Sequence, residues 1–311
     1  MQAYFALPEP PLAEPCNLAI GNFDGVHRGH QALLRAMIAD ARVQGRAAGL
    51  LTFDPHPIAV MRPEQQHLVL TTPAQRLAVL ADVGLDFVVV YPFTRVTAHT
   101  DAAVFMTAVQ QAVQMRSLWV GPDFALGRNR SGDISALRAL GETLGYRVQV
   151  IEPQLFDGEE VRSGRIRTAL LAGEVEDAAR QLGRAYAVTG TVVAGAQRGR
   201  SIGFPTANLA VPPQQLLPAN GVYATWATLA DGQPRASVTN VGVRPSFDHG
   251  HRTVETFLLD FSGDLYDQPM TLTFVVRLRP ELRFASVDAL KQQIAQDVLA
   301  ARGILTVPPH D

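Results

Sequence analysis

The chain contains very little cysteine and lysine: its 311 residues include one cysteine, Cys16, and one lysine, Lys291. A single cysteine excludes an internal disulfide and any metal centre built from several thiolates. A single lysine makes Schiff-base chemistry a poor basis for catalysis. The apolar runs are shorter than the roughly 20 residues of a membrane-spanning helix, and the proline-rich start lacks the basic and apolar regions of a secretory signal.

Charge of either sign is also scarce. Charged residues make up 18% of the chain, hydrophobic residues make up 47%, and the formal net charge is −2. Because no stripe of basic residues is present either, nucleic acid is an unsuitable partner. At about 150 residues per domain, the length predicts two domains. We expect a cytoplasmic enzyme with small-molecule partners and no membrane partner, and the sequence leaves its oligomeric state open.

The first half of the chain alternates between strand-like and helix-like segments. This alternation predicts a parallel sheet with helices on both faces. Ligands of such sheets collect beyond the carboxyl ends of the strands. The predicted strands are residues 16–23, 48–53, 87–91, 118–121 and 147–151, and the predicted helices lie near residues 30–44, 73–83, 101–115 and 133–144.

The second half has a different character, and short β-like segments separated by Gly, Pro and Asp dominate it. Regularly spaced short strands indicate an antiparallel barrel or sandwich. We place the domain boundary between residues 183 and 184, which gives domains 1–183 and 184–311. Helices are predicted near 163–172, 174–183 and 286–301, and strands at 186–193, 221–228, 236–242, 253–261 and 271–278.

The most informative segment is residues 21–30, Gly-Asn-Phe-Asp-Gly-Val-His-Arg-Gly-His, between a predicted strand and a predicted helix. Its glycines allow close approach of backbone N–H groups to a ligand. His27 and His30 lie at the helix start, which carries roughly half a positive charge and suits phosphate. Read alone, these histidines have an alternative explanation, because a histidine can also cap the end of a helix. Together with polar residues after other strands, they predict a site for a polyanion, and we expect a nucleotide.

Four segments together resemble the nucleotidyltransferase domain of bacterial FAD synthetases: residues 21–30, 52–57, 121–124 and 163–167. The resemblance covers residues 16 to about 183 and implies a Rossmann-like fold. In that family the phosphate of FMN attacks the α-phosphorus of ATP. The FMN phosphate is mostly a dianion at pH 7, with a second pKa of about 6, so the reaction needs positive charge rather than a base. The resemblance implies catalytic roles for His27, His30 and Arg167, ATP contacts for Gly21, Asn22, Phe23, Asp24, Ser163 and Arg165, and flavin contacts for Asp54, His56 and Asp123.

A second glycine-rich segment, residues 190–208, lacks the Gly-Lys-Ser/Thr of a Walker loop. Its glycines, among them Gly195 and Gly203, allow the backbone to wrap around an anion. Thr206 and Asn208 point the same way if the chain is extended there, and their oxygens suit Mg²⁺. Read alone, the segment is equally an ordinary turn.

Glu255 lies within the apolar segment 254–259, where a carboxylate is costly unless it is partnered or useful. Periodicity leaves a position on the solvent face of the strand equally open. Residues 184–302 resemble riboflavin kinase, through segments 190–208, 221–223, 240–245, 254–255, 260–261 and 264–266. The resemblance implies that Glu255 accepts the proton of the riboflavin 5′-hydroxyl. It further implies Mg²⁺–ATP contacts at Thr206 and Asn208, phosphate contacts at Gly195, Arg200 and Gly203, and flavin contacts at Asn240, Arg244 and Arg279.

The combined resemblances predict a bifunctional enzyme that forms FMN from riboflavin and ATP, and FAD from FMN and a second ATP. One departure supports an alternative, an active kinase with an impaired or regulatory adenylyltransferase. Gly164 stands where the FAD synthetases have a hydroxyl, and a lost donor to a charged group costs about 1.5–3 kcal/mol. A class I aminoacyl-tRNA synthetase lacks support because the sequence has no lysine-rich second motif. A non-catalytic flavin-binding module remains a further alternative.

Overall fold

The computed structural model describes residues 1–153, 155–156, 158–195, 199, 202–243 and 252–308. They form two compact units, Met1–Ser163 and Gly164–Asp311. Among the described residues, the helices are all too short or too polar to cross a bilayer.

The first unit is built on a parallel sheet, which confirms the predicted fold class. Its strands lie in the order β1-β4-β3-β2-β5-β6, and every neighbouring pair is parallel. A two-stranded antiparallel ribbon, β7–β8, follows. The elements are β1 Gln2–Tyr4, β2 Cys16–Ile20, α1 Arg28–Val43, β3 Ala47–Asp54, α2 Pro57–Met61, α3 Pro73–Ala81, β4 Phe87–Pro92, α4 Arg95–His99, α5 Ala102–Val113, β5 Met115–Val120, α6 Ile134–Leu144, β6 Arg147–Val150, β7 Leu155–Phe156 and β8 Glu159–Glu160.

The strand order reverses between β2 and β5, because the chain adds β3 and β4 on one side of β2 and then returns to its other side. Such a switch point is where parallel sheets open a ligand crevice. Residues 21–30 follow β2 and residue 121 follows β5. The sheet therefore brings these two predicted segments to the same edge of the switch point.

Both faces of this sheet are covered, as alternate residues of β2 show. Leu18 is fully buried in a cluster with Phe105 and Val109 of α5. Ala19 is fully buried in a separate cluster with Leu34 of α1. A strand that is buried on both faces has to be apolar throughout, and this explains why β2 could be recognised in the sequence.

The second unit is a closed antiparallel barrel with the order β10-β13-β12-β11-β14-β9, and this decides between the predicted barrel and sandwich. The strand Ala207–Ala210 lies where we predicted a loop, and it closes the barrel between its two neighbours. Its elements are α7 Ser163–Ala172, α8 Val175–Leu182, β9 Tyr186–Val193, β10 Ala207–Ala210, β11 Gly221–Thr228, β12 Pro234–Val243, β13 Arg252–Leu258, β14 Pro269–Arg279 and α9 Val287–Ile304.

The barrel interior contains a chain of buried hydroxyl groups. Thr225 Oγ1 lies 2.7 Å from both Ser237 Oγ and Thr239 Oγ1, and Thr239 donates to Thr256 Oγ1 at 2.9 Å. All four residues are fully buried. On the outer face, Val222, Trp226 and other apolar residues pack against Ala301 of α9. The two faces of each barrel strand are therefore clearly distinguished.

Helices α7 and α8 group with the barrel, because the barrel holds the end of α7 by hydrogen bonds. Arg277 donates to the carbonyl of Ala172 at 3.2 Å, and Ala219 N–H donates to the carbonyl of Leu170 at 2.8 Å. The division between the compact units consequently falls between Ser163 and Gly164 of the chain. The functional division between residues 183 and 184 stays a prediction.

Candidate active sites

The loop after β2 has an unusual backbone. The strand was predicted to continue to Phe23 but ends at Ile20, since Phe23 has a φ of +48°. Gly25 follows at +84° and Val26 at +43°. A left-handed backbone conformation costs about 1–3 kcal/mol at a residue other than glycine, and it persists only where the surrounding structure holds it. The loop therefore needs firm anchors.

Asp24 is one of these anchors. Its carboxylate is 2% exposed and accepts the N–H groups of Leu70 at 2.9 Å and Thr71 at 3.1 Å. The neighbouring Gly25 N–H donates to Thr71 Oγ1 at 3.1 Å. The structure thus gives this carboxylate main-chain donors within the unit, and the ATP contact expected of Asp24 stays a prediction.

Ser163 is brought to the same loop. Its hydroxyl donates to the main-chain carbonyl of Asp24 at 2.9 Å. Arg165 and Arg167 follow Ser163 on α7, where the first is exposed and the second half-buried. Because these two arginines belong to the other compact unit, their phosphate contacts stay predictions.

The two histidines of the loop form a stacked pair, with ring centroids 3.6 Å apart. His27 caps α1, and its Nδ1 accepts the His30 N–H at 3.3 Å. Desolvation of the ring, and secondly the charge of His27, hold the pKa of His30 well below its ordinary 6.5. Burial thus disfavours the charged form of this ring, and the catalytic role expected of His30 stays a prediction.

Arg76 is a residue of this site that sequence reasoning missed. It lies on α3, is 4% exposed, and donates to the carbonyls of Asn22 at 2.9 Å and Phe53 at 3.1 Å. Arg76 and Leu80 are the buried residues of that helix. An arginine four residues before a core leucine, and thus on the apolar stripe of a helix, is the sequence pattern that would have identified it.

The predicted flavin residues of this unit follow β3 and β5, which flank β2. Asp54 ends β3. His56 is 8% exposed and stacks on His67 with centroids 4.1 Å apart. Asp123 is exposed, and its carboxylate accepts Arg162 at 3.1 Å. The carboxyl ends of parallel neighbours share one edge of the sheet, so these residues and the His27 loop lie along that edge; flavin binding stays a prediction.

Glu255, Asn208 and Asn240 form a row across three barrel strands. In the strand register Glu255 of β13 lies directly opposite Asn208 of β10 on one side and Asn240 of β12 on the other. Residues directly opposite each other present their side chains to one face, with Cβ atoms about 4.5–5.5 Å apart. The flanking residues Val254 and Thr256 are buried. Glu255 is therefore half-buried on the outer face, and it is surrounded by amides rather than by bulk solvent alone.

The glycine-rich segment before β10 lies against the two predicted metal ligands. A Cβ on Gly195 would approach Asn208 Nδ2 to 2.1 Å, and a Cβ on Gly199 would approach Thr206 Oγ1 to 3.2 Å. Gly203 has a φ of +89°, a conformation that favours glycine. A side chain at Gly195 or Gly199 would therefore crowd one of the two predicted metal ligands. Arg200 lies outside the described residues, as does Arg244.

Arg279 has a partner that was not foreseen. Its Nε and Nη2 donate to the carboxylate of Asp297 on α9 at 3.0 and 2.8 Å, and the two side chains are 14% and 5% exposed. Its Nη1 donates to the carbonyl of Pro280. The guanidinium of Arg279 thus links α9 to β14 of the barrel. The flavin contact expected of Arg279 stays a prediction.

Comparison with known protein families divides the chain in the same way as the predicted functions. The model of the FAD synthetase family matches residues 9–165, and the model of the riboflavin kinase family matches residues 182–305. The stretch between the two matches contains most of α7 and α8.

Relatives match the chain over nearly its whole length. The bifunctional riboflavin kinase/FMN adenylyltransferase of Pseudomonas fluorescens is 37% identical, covering 96% of each chain. The protein of the same name from Escherichia coli K12 is 36% identical, covering 93% of this chain and 92% of its own. A crystal structure described as a macrolide-efflux protein of Streptococcus pneumoniae matches with a TM-score of 0.88 and 27% identity, covering 97% of this chain and 99% of the other.

Proposed function

Because this chain belongs to the family of bifunctional riboflavin kinases/FMN adenylyltransferases, we propose that the predicted domains 1–183 and 184–311 divide the two reactions. The barrel unit phosphorylates riboflavin with ATP to give FMN. The parallel-sheet unit adenylylates FMN with a second ATP to give FAD and pyrophosphate. The observation that carries this assignment is the row Asn208–Glu255–Asn240, which gives the barrel a carboxylate with polar neighbours on the face where the glycine-rich segment ends.

In the kinase reaction the riboflavin 5′-oxygen attacks the γ-phosphorus of ATP, and ADP leaves. The attacking hydroxyl has to lose its proton, and Glu255 accepts it. A positioned base contributes about 10²–10⁴-fold to a rate. Asn240 orients the flavin beside this carboxylate, together with Arg244, and Gly195, Arg200 and Gly203 hold the triphosphate.

Magnesium is the ion that the barrel residues fit. Thr206 Oγ1 and the Asn208 amide oxygen are hard ligands that suit this ion, and the glycines beside them bring the backbone close to both side chains. Within the described ranges, no group of three or more His, Cys, Asp or Glu side chains could hold a metal. A site of two protein oxygens completed by phosphate and water matches this composition. When bound, Mg²⁺ neutralises phosphate charge.

In the adenylylation reaction an FMN phosphate oxygen attacks the α-phosphorus of ATP, and pyrophosphate leaves. No base is needed because the nucleophile is already an anion. Residues 21–24, Ser163 and the start of α1 bind the phosphates with N–H and O–H groups, and His30 adds a ring N–H. Arg165 and Arg167 supply positive charge, while Asp54, His56 and Asp123 hold the flavin. We place both reactions in the cytoplasm.

Two assays on the purified full chain test the proposal. Riboflavin with Mg²⁺–ATP is expected to give FMN, and FMN with Mg²⁺–ATP is expected to give FAD and pyrophosphate. His30→Ala should abolish FAD formation from FMN and leave FMN formation from riboflavin unchanged. Loss of both activities in folded His30→Ala protein would contradict the division between the units.

A second candidate function is favoured by Gly164, which is exposed and has no atom within 4 Å of a Cβ built on it. The hydroxyl that the FAD synthetases carry at this position is missing, and no neighbouring atom fills its place. Under this second hypothesis, the kinase is active and the adenylyltransferase is impaired. FMN formation without detectable FAD or pyrophosphate would favour it.

A further inference from the structure

The guanidinium of Arg76 is buried at the edge of the sheet where residues 21–30, the loop after β2, begin. Its two terminal nitrogens donate to main-chain carbonyls, Nη1 to Asn22 in the loop after β2 at 2.9 Å and Nη2 to Phe53 near the end of β3 at 3.1 Å. The Asn22 carbonyl accepts a second donor, Thr52 Oγ1, at 2.9 Å. The rigid fork of the arginine thus joins the loop after β2 to the carboxyl end of β3.

Such an arginine is unfavourable for stability alone. Burial lowers the pKa of Arg76, while the carboxylates of Asp24 and Asp54 act in the opposite direction. A leucine would suit the apolar stripe of α3 without the cost of desolvating a charge. The position of Arg76 therefore calls for a role that an apolar residue cannot fill.

One of its hydrogen bonds fixes the direction of a backbone N–H group. The peptide unit is planar and trans, so a carbonyl and the N–H of the next residue point in opposite directions. Holding the Asn22 carbonyl sets the direction of the Phe23 N–H, which belongs to residues 21–30. The bond to the Phe53 carbonyl fixes the guanidinium to β3, whose next residue, Asp54, is paired with Pro92 of β4.

We propose that Arg76 is a positioning residue for FAD formation. It holds the peptide plane between Asn22 and Phe23 so that the Phe23 N–H stays aimed at the nucleotide side of the crevice. Its buried positive charge adds to the potential that the polyphosphate meets. This inference rests on the proposed adenylyltransferase function of the first unit.

The test compares Arg76→Met and Arg76→Lys with a matched control, Arg42→Met. Arg42 also donates to a main-chain carbonyl, that of Gly84, and to the carboxylate of Asp86, but these residues precede β4 at the opposite edge of the sheet. For each protein, kcat and the KM for ATP in FAD formation are measured, together with FMN formation from riboflavin and the urea unfolding curve.

Removing a preorganised donor from a charge-stabilising site costs about 10²–10³-fold in kcat. Because Arg76 acts through the backbone, we expect Arg76→Met to lower kcat for FAD formation by about 10–100-fold with a change in KM for ATP below about threefold. Arg76→Lys should lower kcat by less, since one ammonium keeps the charge but cannot reach both carbonyls. FMN formation in every variant and FAD formation in Arg42→Met should stay within about twofold of the parent.

A purely structural role predicts less folded protein but an unchanged kcat per folded molecule, which the unfolding curves reveal. If Arg76→Met does not fold, Arg76→Lys decides the question. Parental kcat in folded Arg76→Lys, or equal losses in Arg42→Met, would overturn the inference while leaving the proposed function intact. A parent protein that forms FMN but no FAD from FMN and ATP would instead overturn the adenylyltransferase function, and the inference with it.

Discussion

Replacing Glu255 by glutamine is the sharpest test of the kinase assignment. The carboxylate lies half-buried on β13 with Asn208 and Asn240 directly opposite on the adjacent strands. Glutamine has the same shape and hydrogen-bonds to amide neighbours, but it cannot accept a proton from an alcohol. The substitution therefore removes the base and keeps the packing of the barrel face.

The expected loss follows from the work of a general base. A contribution of about 10²–10⁴-fold corresponds to about 2.7–5.5 kcal/mol in the activation free energy, at about 1.36 kcal/mol for each factor of ten. Substitutions on a partly exposed face usually change the free energy of unfolding by about 0.5 kcal/mol or less. Glu255→Gln should therefore lose at least 99% of the kinase rate without a measurable loss of stability.

The assay follows FMN formation from riboflavin and Mg²⁺–ATP at saturating substrate. FAD formation from supplied FMN serves as the reference within the same molecule and should not change. Asp231→Asn is a matched control, because Asp231 is an exposed carboxylate paired with Arg235 near the start of β12, away from Asn240. A kinase rate within tenfold of the parent in Glu255→Gln would refute the reasoning.

Three further predictions concern other parts of the chain. Gly164→Ser restores a hydroxyl where a Cβ meets nothing within 4 Å, so the kcat/KM of FAD formation should rise about tenfold or more; an unchanged value would show that the missing hydroxyl does not limit the reaction. For His30, whose pKa is held well below 6.5 by desolvation, the unfolded chain binds more protons below pH 6.5, so the free energy of unfolding of the first unit should fall on acidification by up to about 1.4 kcal/mol per pH unit. Urea unfolding between pH 7.5 and 5 should show a shallower dependence for His30→Asn, and equal slopes would contradict the argument. Asp297→Asn leaves the largely buried guanidinium of Arg279 without its charged partner, so chemical unfolding should show the barrel unit destabilised by about 3 kcal/mol, whereas a loss below about 1 kcal/mol would contradict the role of this pair in holding α9 to the barrel.

Periodicity in the sequence was sufficient for most elements but failed at particular turns. The strand before residues 21–30 was predicted three residues too long, because Phe23 is a good strand former and its left-handed φ of +48° depends on anchors elsewhere in the unit. The strand Ala207–Ala210 was missed because four residues within a glycine-rich segment carry too weak a pattern. Its neighbours in the barrel, and not its own propensity, make it a strand.

At the candidate sites, too, the sequence did not show contacts between residues that lie far apart along the chain. Residue types and spacing pointed to His27, Glu255 and Asn208, since their chemistry suits phosphate, alcohol and magnesium. Nothing local revealed that Arg76 reaches back to the loop across more than fifty positions of sequence, or that Arg279 is engaged by Asp297. Such pairings depend on which helices pack against which strand ends.

By itself, the sequence determined the family, the two-part organisation and the chemistry of the site residues, because hydrophobic period and residue type are local properties that the chain carries unfolded. Only the tertiary structure decided the burial that lowers the pKa of His30, the row that surrounds Glu255 and the anchoring of the strained loop. Desolvation, strand register and long-range hydrogen bonds arise between segments distant in sequence, and they exist only once the chain has folded.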